Sequence, residues 1–262
     1  MSPDGAILWE HSGLIATALI DRPARRNALS AALCDELRVH LAENRGLRAV
    51  VISGAGDRAF CAGADLARRA EDTGGLTHGG GDTFRPAFEA LLDEIVEFPA
   101  PVIAAVNGHA LGAGMQLAVA CDLRVVAPSA TFGIPAGRLG VAISAINVQR
   151  LVHAVGQPMA RDILLTARSL SAVEAAAAGL VQRAADDALG AATTLASEVA
   201  ALAPVSARAH KAMLTRVATS GSLSAEDRSE LSELELAAFE STDLQEGLAA
   251  FSEKRPATFS GR

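Results

Sequence analysis

The sequence predicts an α/β fold to about residue 190 followed by a helical tail. Two observations carry this. Strand and helix signals alternate along the first part, and from Ala145 onward the apolar spacing is mostly helical, with one short strand candidate at Leu180 to Arg183. Repeated strand and helix units of this kind build either stacked right-handed turns or a doubly wound sheet, and the pattern alone fits both. A chain of 262 residues, 50% of them apolar and 20% charged, is long enough to bury a sizeable core.

The elements follow in order. Ala6 to Trp9 and Leu14 to Ile20 read as two short strands joined by the polar turn Glu10-His11-Ser12-Gly13. After Asp21-Arg22-Pro23, Ser30 is placed to cap a helix whose apolar positions recur to about Leu41. A strand is expected at Leu47 to Ser53, then a loop from Gly54 to Gly63 and a short helix from Asp65. Asp72 to Asp82 contains five glycines, too many for regular structure, and is expected to be a mobile lid. Phe84 to Phe98 has helical spacing and is stopped by Pro99 and Pro101; Val102 to Val106 reads as a buried strand. Gly108 to Gly114 turns the chain into a helix from Met115 to Cys121, and strands follow at Leu123 to Ala127 and Thr131 to Phe132.

Composition narrows the function. Eight Phe, one Trp and no Tyr, with a net charge of −7, leave neither the aromatic platform nor the basic face of a nucleic-acid binder. An anionic ligand must therefore be met by local Arg, Lys or backbone donors. The longest apolar segment, Pro101 to Cys121, is broken by Asn107, His109, Gln116 and several glycines, so no membrane insertion is expected. The N-terminal residues show no secretory pattern, and Cys34, Cys61 and Cys121 have no paired spacing, so a cytoplasmic protein with reduced thiols is expected. The six histidines lack metal-ligand spacing, and no metal or separate cofactor is expected. Gly112-Ala113-Gly114 is followed by Leu117 where a dinucleotide fingerprint needs its third glycine, and Gly74 to Gly81 lacks the ending of a phosphate loop.

Two turns of small residues carry more information: Ala59 to Leu66 and Asn107 to Leu117. Each can present backbone N–H groups to a ligand that approaches the main chain closely. Converging on one carbonyl oxygen, two such amides form an oxyanion hole, each donor contributing about 2.7–4 kcal/mol. Taken singly, each turn is equally an ordinary tight connection.

Together, and at this separation, these turns resemble those of the enoyl-CoA hydratase/isomerase (crotonase) family. The resemblance spans nearly the whole chain: Asp21-Arg22-Pro23 with Asn27-Ala28-Leu29, Phe60 to Leu66, Val106 to Leu117, Ala120 to Arg124, Phe132-Gly133-Ile134-Pro135, Arg150-Leu151, Val155-Gly156, Glu246 to Phe251, Glu253 to Pro256, and Phe259. It implies a spiral core of repeated ββα units over residues 1–190 and a helical region over 191–262 that makes a homotrimer or homohexamer. It also implies an acyl-CoA or enoyl-CoA thioester ligand, coenzyme A entering as part of that ligand. The thioester oxygen is expected between the backbone amides of Ala64 and Ala113, and the coenzyme A portion near Arg25, Arg26, Ala62, Gly63, Asp65 and Leu66, with Lys254 reaching in from a neighbouring subunit.

The chain departs from the family where hydration chemistry resides. The family's two glutamates map onto Gln116 and Ala136. An amide holds a water but does not accept its proton at neutral pH, and a methyl does neither. Each positioned acid or base contributes about 10²–10⁴-fold, so hydration is expected to be weak or absent. The expectation is therefore an acyl-CoA-binding protein of lipid metabolism; the alternative is an active hydratase, isomerase, decarboxylase or hydrolase using another group. The candidates for that group are Glu71, Asp72, His78, Asp82, Glu89 and His109, while Arg138 and Ser144 are placed to contact a polar acyl group or simply to sit at the surface and cap a helix.

Overall fold

The computed structural model describes residues 5–66, 82–219 and 222–262. The expected lid, and with it Glu71, Asp72 and His78, falls outside the described residues except for Asp82. The chain opens with β1 (Ala6–Ser12) and β2 (Ile15–Asp21), an antiparallel hairpin. Its turn is tighter than the sequence suggests: Glu10, His11 and Ser12 extend β1, and Gly13 at φ 63° helps to close a two-residue loop. Next comes α1 (Ala31–Glu43), capped by Ser30 as expected, its Oγ accepting from Leu33 N at 3.3 Å.

Three pairs of strands then alternate with helices. β3 (Ala49–Gly54) and β4 (Ala59–Cys61) precede α2 (Phe84–Glu97); β5 (Val102–Val106) and β6 (His109–Leu111) precede α3 (Ala113–Ala120); β7 (Leu123–Val126) and β8 (Thr131–Gly133) precede α4 (Ala145–Thr166). Each pair sends its first strand to a six-stranded sheet ordered β1-β2-β3-β5-β7-β10 and its second to a four-stranded sheet ordered β4-β6-β8-β9. Here β9 is Ser169–Ser171 and β10 is Arg183–Ala184, with α5 (Ala172–Ala177) between them. This is the stacked-turn alternative, since a doubly wound fold would keep the strands in one sheet.

Residues of β3 and β5 point alternately to two cores, as a sheet covered on both faces requires. Val50, Ile52, Val102 and Ala104 join the large core with α1, α2 and α3. Val51, Ile103 and Val125 instead meet Ala192, Leu195 and Ala196 of α6 (Ala188–Ala200). The expected boundary at residue 190 thus falls inside α6, a helix that lies on the six-stranded sheet.

α7 (Pro204–Thr219), α8 (Ala225–Phe239) and α9 (Thr242–Glu253) complete the chain. Lys211 ties α7 down: its buried Nζ donates to Ile95 O at 3.1 Å, Ala100 O at 3.0 Å and Asp122 Oδ2 at 2.7 Å. The last residues fold back on α9, where Asp243 accepts from Ser260 N at 2.7 Å and Gly261 N at 2.9 Å. Leu236, Phe239, Leu248 and Phe251 remain exposed on α8 and α9. Among the described residues no single helix is long and apolar enough to cross a membrane.

Candidate functional site

β4, β6 and β8 run parallel and adjacent, so their carboxyl ends share one edge of the small sheet. From that edge β4 leads into the Ala62–Leu66 turn, β6 into α3, and β8 into a short 3₁₀ helix, Pro135–Leu139. All four sequence-predicted catalytic positions therefore lie on segments leaving one edge: Ala64 after β4, Ala113 and Gln116 after β6, and Ala136 after β8.

The first two turns are in near contact. A Cβ built on Gly63 would lie 3.2 Å from Leu111 O and 3.8 Å from Ala113 N, and one built on Gly112 would lie 3.8 Å from Gly63 Cα. Gly63 has φ +116° and Gly112 φ +56°, conformations that side chains other than glycine's rarely adopt. One residue further, a Cβ on Gly114 would fall 2.0 Å from Cys61 O, so the first turn of α3 rests on the backbone of β4.

The turns leave amides unused. Around Ala64, the neighbours are committed: Ala62 N donates to Arg26 O at 3.0 Å, Asp65 N to Leu29 O at 2.8 Å, and Leu29 N to Gly63 O at 2.9 Å. Gly112 occupies the cap position of α3 and brings no capping side chain, leaving Ala113 at the open start of the helix. Among the described residues neither the Ala64 nor the Ala113 amide has an acceptor. Two open amides on touching turns suit an oxygen that carries negative charge, strengthened by the positive end of α3.

A polar lock fixes the first turn. Arg22 and Asp65, 7% and 9% exposed, form an ion pair with Nη1 and Oδ2 at 2.7 Å. Asn27, 1% exposed at φ 56°, accepts from Arg22 N at 3.1 Å and donates to Ala55 O at 3.0 Å and Ala59 O at 2.7 Å. Asp65 thus spends its carboxylate on Arg22, a structural role that the sequence reading did not assign. Arg25 and Arg26 are exposed at the entrance to this loop, and Leu66 is exposed at its far side, while Ala62 is half-buried. Lys254 ends α9 at φ 55° and is exposed.

Gln116 and Ala136, the two positions that the resemblance assigns to glutamates, bring no carboxylate. The Gln116 amide turns back onto its own helix, Nε2 donating to Gly112 O at 3.2 Å. Ala136 is a half-buried methyl packed against the core. Cys61 lies under the turn, and burial pushes its thiol up to about 12 despite backbone hydrogen bonds from the loop, so it is not a nucleophile near neutral pH.

The other candidates separate. His109 starts β6 on the exposed face and pairs with Thr131, Nδ1 to Oγ1 at 2.7 Å; it is not part of the turn that carries Ala113. Arg138 is exposed. Ser144 stands at the cap position of α4 without making the capping bond, and its buried Oγ has no partner among the described residues. Glu89 on α2 accepts from Asn147 Nδ2 on α4 at 3.1 and 3.2 Å. Asn147, Arg22 and Asn27 escaped the sequence reading as working parts because their partners lie far along the chain.

A family model described as enoyl-CoA hydratase/isomerase matches residues 10–262. The human mitochondrial enoyl-CoA hydratase domain-containing protein 2 is 35% identical over 95% of this chain and 86% of its own length. The Mycobacterium tuberculosis protein named "Probable enoyl-CoA hydratase echA6" is 38% identical over 94% and 96%. Among solved structures, an enoyl-CoA hydratase/carnithine racemase from Magnetospirillum magneticum superposes with a TM-score of 0.87 at 33% identity, covering 98% of this chain and 96% of that one. An enoyl-CoA hydratase from Bacillus anthracis gives 0.84 at 31% identity, covering 98% and 99%.

Proposed function

The chain belongs to the enoyl-CoA hydratase/isomerase family, and from that premise we propose that it binds acyl-CoA thioesters in lipid metabolism and hydrates them weakly or not at all. The observation that carries this reading is the pairing of open amides at Ala64 and Ala113 with a Gln116 side chain turned onto Gly112 O and a methyl at Ala136. The amides polarise a thioester carbonyl, while neither replacement takes a proton from water. Arg25 and Arg26 meet the anionic coenzyme A portion alongside the Ala62–Leu66 backbone. Lys254 serves the same anion from a neighbouring subunit, and the exposed apolar residues of α8 and α9 support assembly into a trimer or hexamer. The protein acts in the cytoplasm.

Hydration of trans-2-enoyl-CoA substrates by the purified protein, with calorimetric binding of the matching saturated acyl-CoAs, tests the proposal. Binding without appreciable turnover is expected, together with measurable hydration once Gln116→Glu and Ala136→Glu are combined. Substantial turnover by the unaltered protein would refute it.

A further inference from the structure

α2 and α4 both pack on α3, and the sides that face each other are joined by polar contacts. Glu89 accepts from Asn147 Nδ2, Asn147 Oδ1 accepts from Arg150 Nη1 at 2.9 Å, and Arg150 Nη2 meets Asp93 Oδ1 at 2.6 Å. Because the Arg150 guanidinium can only donate, it fixes the Asn147 amide, and Nδ2 must face Glu89. Asn147 is 3% exposed and Glu89 half-buried. Among the described residues Glu89 has no other hydrogen-bond partner, so its carboxylate keeps acceptor sites open.

The placement follows from the topology. Glu89 lies in the first two turns of α2, Asn147 in the first turn of α4, and Gln116 in the first turn of α3, the helix on which both pack. Independently, Ser144 Oγ, three residues before Asn147, is buried without a partner among the described residues. A buried orphan hydroxyl calls for a polar partner, and the half-buried Glu89 carboxylate is held across the α2–α4 contact by the single neutral amide of Asn147.

Resting on the proposed thioester site, we infer that Glu89 is the proton-accepting group of this protein, removing and returning the proton at the carbon next to the thioester carbonyl. In that step the Cα–H bond breaks, the proton moves to a Glu89 oxygen, and the electron pair moves through the new C=C bond to the thioester oxygen, which the Ala64 and Ala113 amides hold as an enolate. Return of the proton restores the thioester, with no net oxidation. One carboxylate suffices for this exchange, whereas hydration also needs a water delivered and activated. Asn147 is a positioning residue that keeps the carboxylate turned toward the junction.

The experiment incubates the protein with octanoyl-CoA in D₂O and follows deuterium at Cα by mass spectrometry, with calorimetric affinity measured in parallel. Exchange well above the buffer rate is expected from the unaltered protein. Glu89→Gln should lower it by about 10²-fold or more at unchanged affinity, while Glu97→Gln, a second and exposed α2 glutamate, leaves it intact. Bound octanoyl-CoA without exchange, or exchange undiminished in Glu89→Gln, overturns the role of Glu89 and leaves the binding reading standing. Failure of the unaltered protein to bind octanoyl-CoA overturns both.

Discussion

Gly114→Ala adds one methyl at the closest main-chain approach in the site. Its Cβ would fall 2.0 Å from Cys61 O and 2.8 Å from Cys61 C, where ordinary contact begins at 3.4 Å. Both atoms are backbone of β4, so no side-chain rotation relieves the clash, and the start of α3 must retreat by more than an ångström. Overpacking of this kind costs about 1–3 kcal/mol, and in a chain of this size each kcal/mol lowers Tm by about 2–4 °C. Ala113 immediately precedes Gly114, so the same retreat carries its amide away from that of Ala64. Loss of one such donor costs about 10²–10³-fold in catalysed enolate chemistry. Calorimetric affinity for octanoyl-CoA and its Cα exchange should therefore fall while circular dichroism shows a folded chain. Gly137→Ala, whose Cβ meets nothing within 4 Å, is the control. A Gly114→Ala protein with unchanged Tm and unchanged affinity would refute the close approach of the two turns as the basis of the site.

Lys211→Met removes three hydrogen bonds that anchor α7 and leaves Asp122 without its cation; a loss of about 3 kcal/mol is expected in urea denaturation, and a loss below 1 would show the clamp to be dispensable. The Glu246 carboxyl is held down at about 2, first by the Arg255 guanidinium and then by Thr258 N. Because the folded pKa lies below the ordinary carboxylate value, this contact is present above about pH 4.5 and is lost as pH falls toward 2. Protection at residues 254–262, taken as the exchange rate relative to the intrinsic rate at each pH, should fall across that window, and unchanged protection would exclude Glu246 as the tether. Burial pushes the Cys61 and Cys121 thiols up to about 12 and raises Cys34 further, so a thiol reagent at pH 8 should label none of the three until the chain is unfolded. Rapid labelling of the native protein would contradict the packing of this core.

The long periodic elements were legible because their signals are local. Val102 to Val106 is the strand the apolar run predicts, and Ser30 caps α1 through the bond its position suggests. The strands that escaped, β4, β6 and β9, are three residues each and exist because parallel or antiparallel neighbours hold them. That omission matters functionally. Read as loops, the stretches around Ala59 and His109 give no reason for the two amides to meet; read as adjacent strands, they force it. His109 illustrates the same limit, since only two residues separate it from Gly112 in sequence, yet it begins β6 while Gly112 follows its end. The Arg22–Asp65 pair and the Glu89–Asn147 contact join residues 43 and 58 positions apart, and no local pattern announces either.

α3 shows how sequence choices at both ends of one short helix serve the same charge. Helices ordinarily satisfy their first amides with a Ser, Thr, Asp or Asn side chain, a contribution of about 1 kcal/mol. Here the position holds Gly112 at φ 56° and ψ −113°, outside the left-handed well that Asn or Asp tolerates, so a capping residue there would be strained, and its oxygen would occupy the amides that the proposed thioester site uses. The opposite end is treated the other way. Buried Arg124 donates through Nη1 to Ala118 O at 3.0 Å and Cys121 O at 2.7 Å, placing a positive charge at the negative end of the helix. Eight residues span about 12 Å, too far for Arg124 to act strongly on a ligand at Ala113. Its contribution is to hold the carbonyl end, so that α3 can leave its amide end open without fraying. Stability lost by the missing cap is thus recovered where no ligand competes for it, and the amide of Ala113 stays available because Arg124 sits at the far end of the same helix.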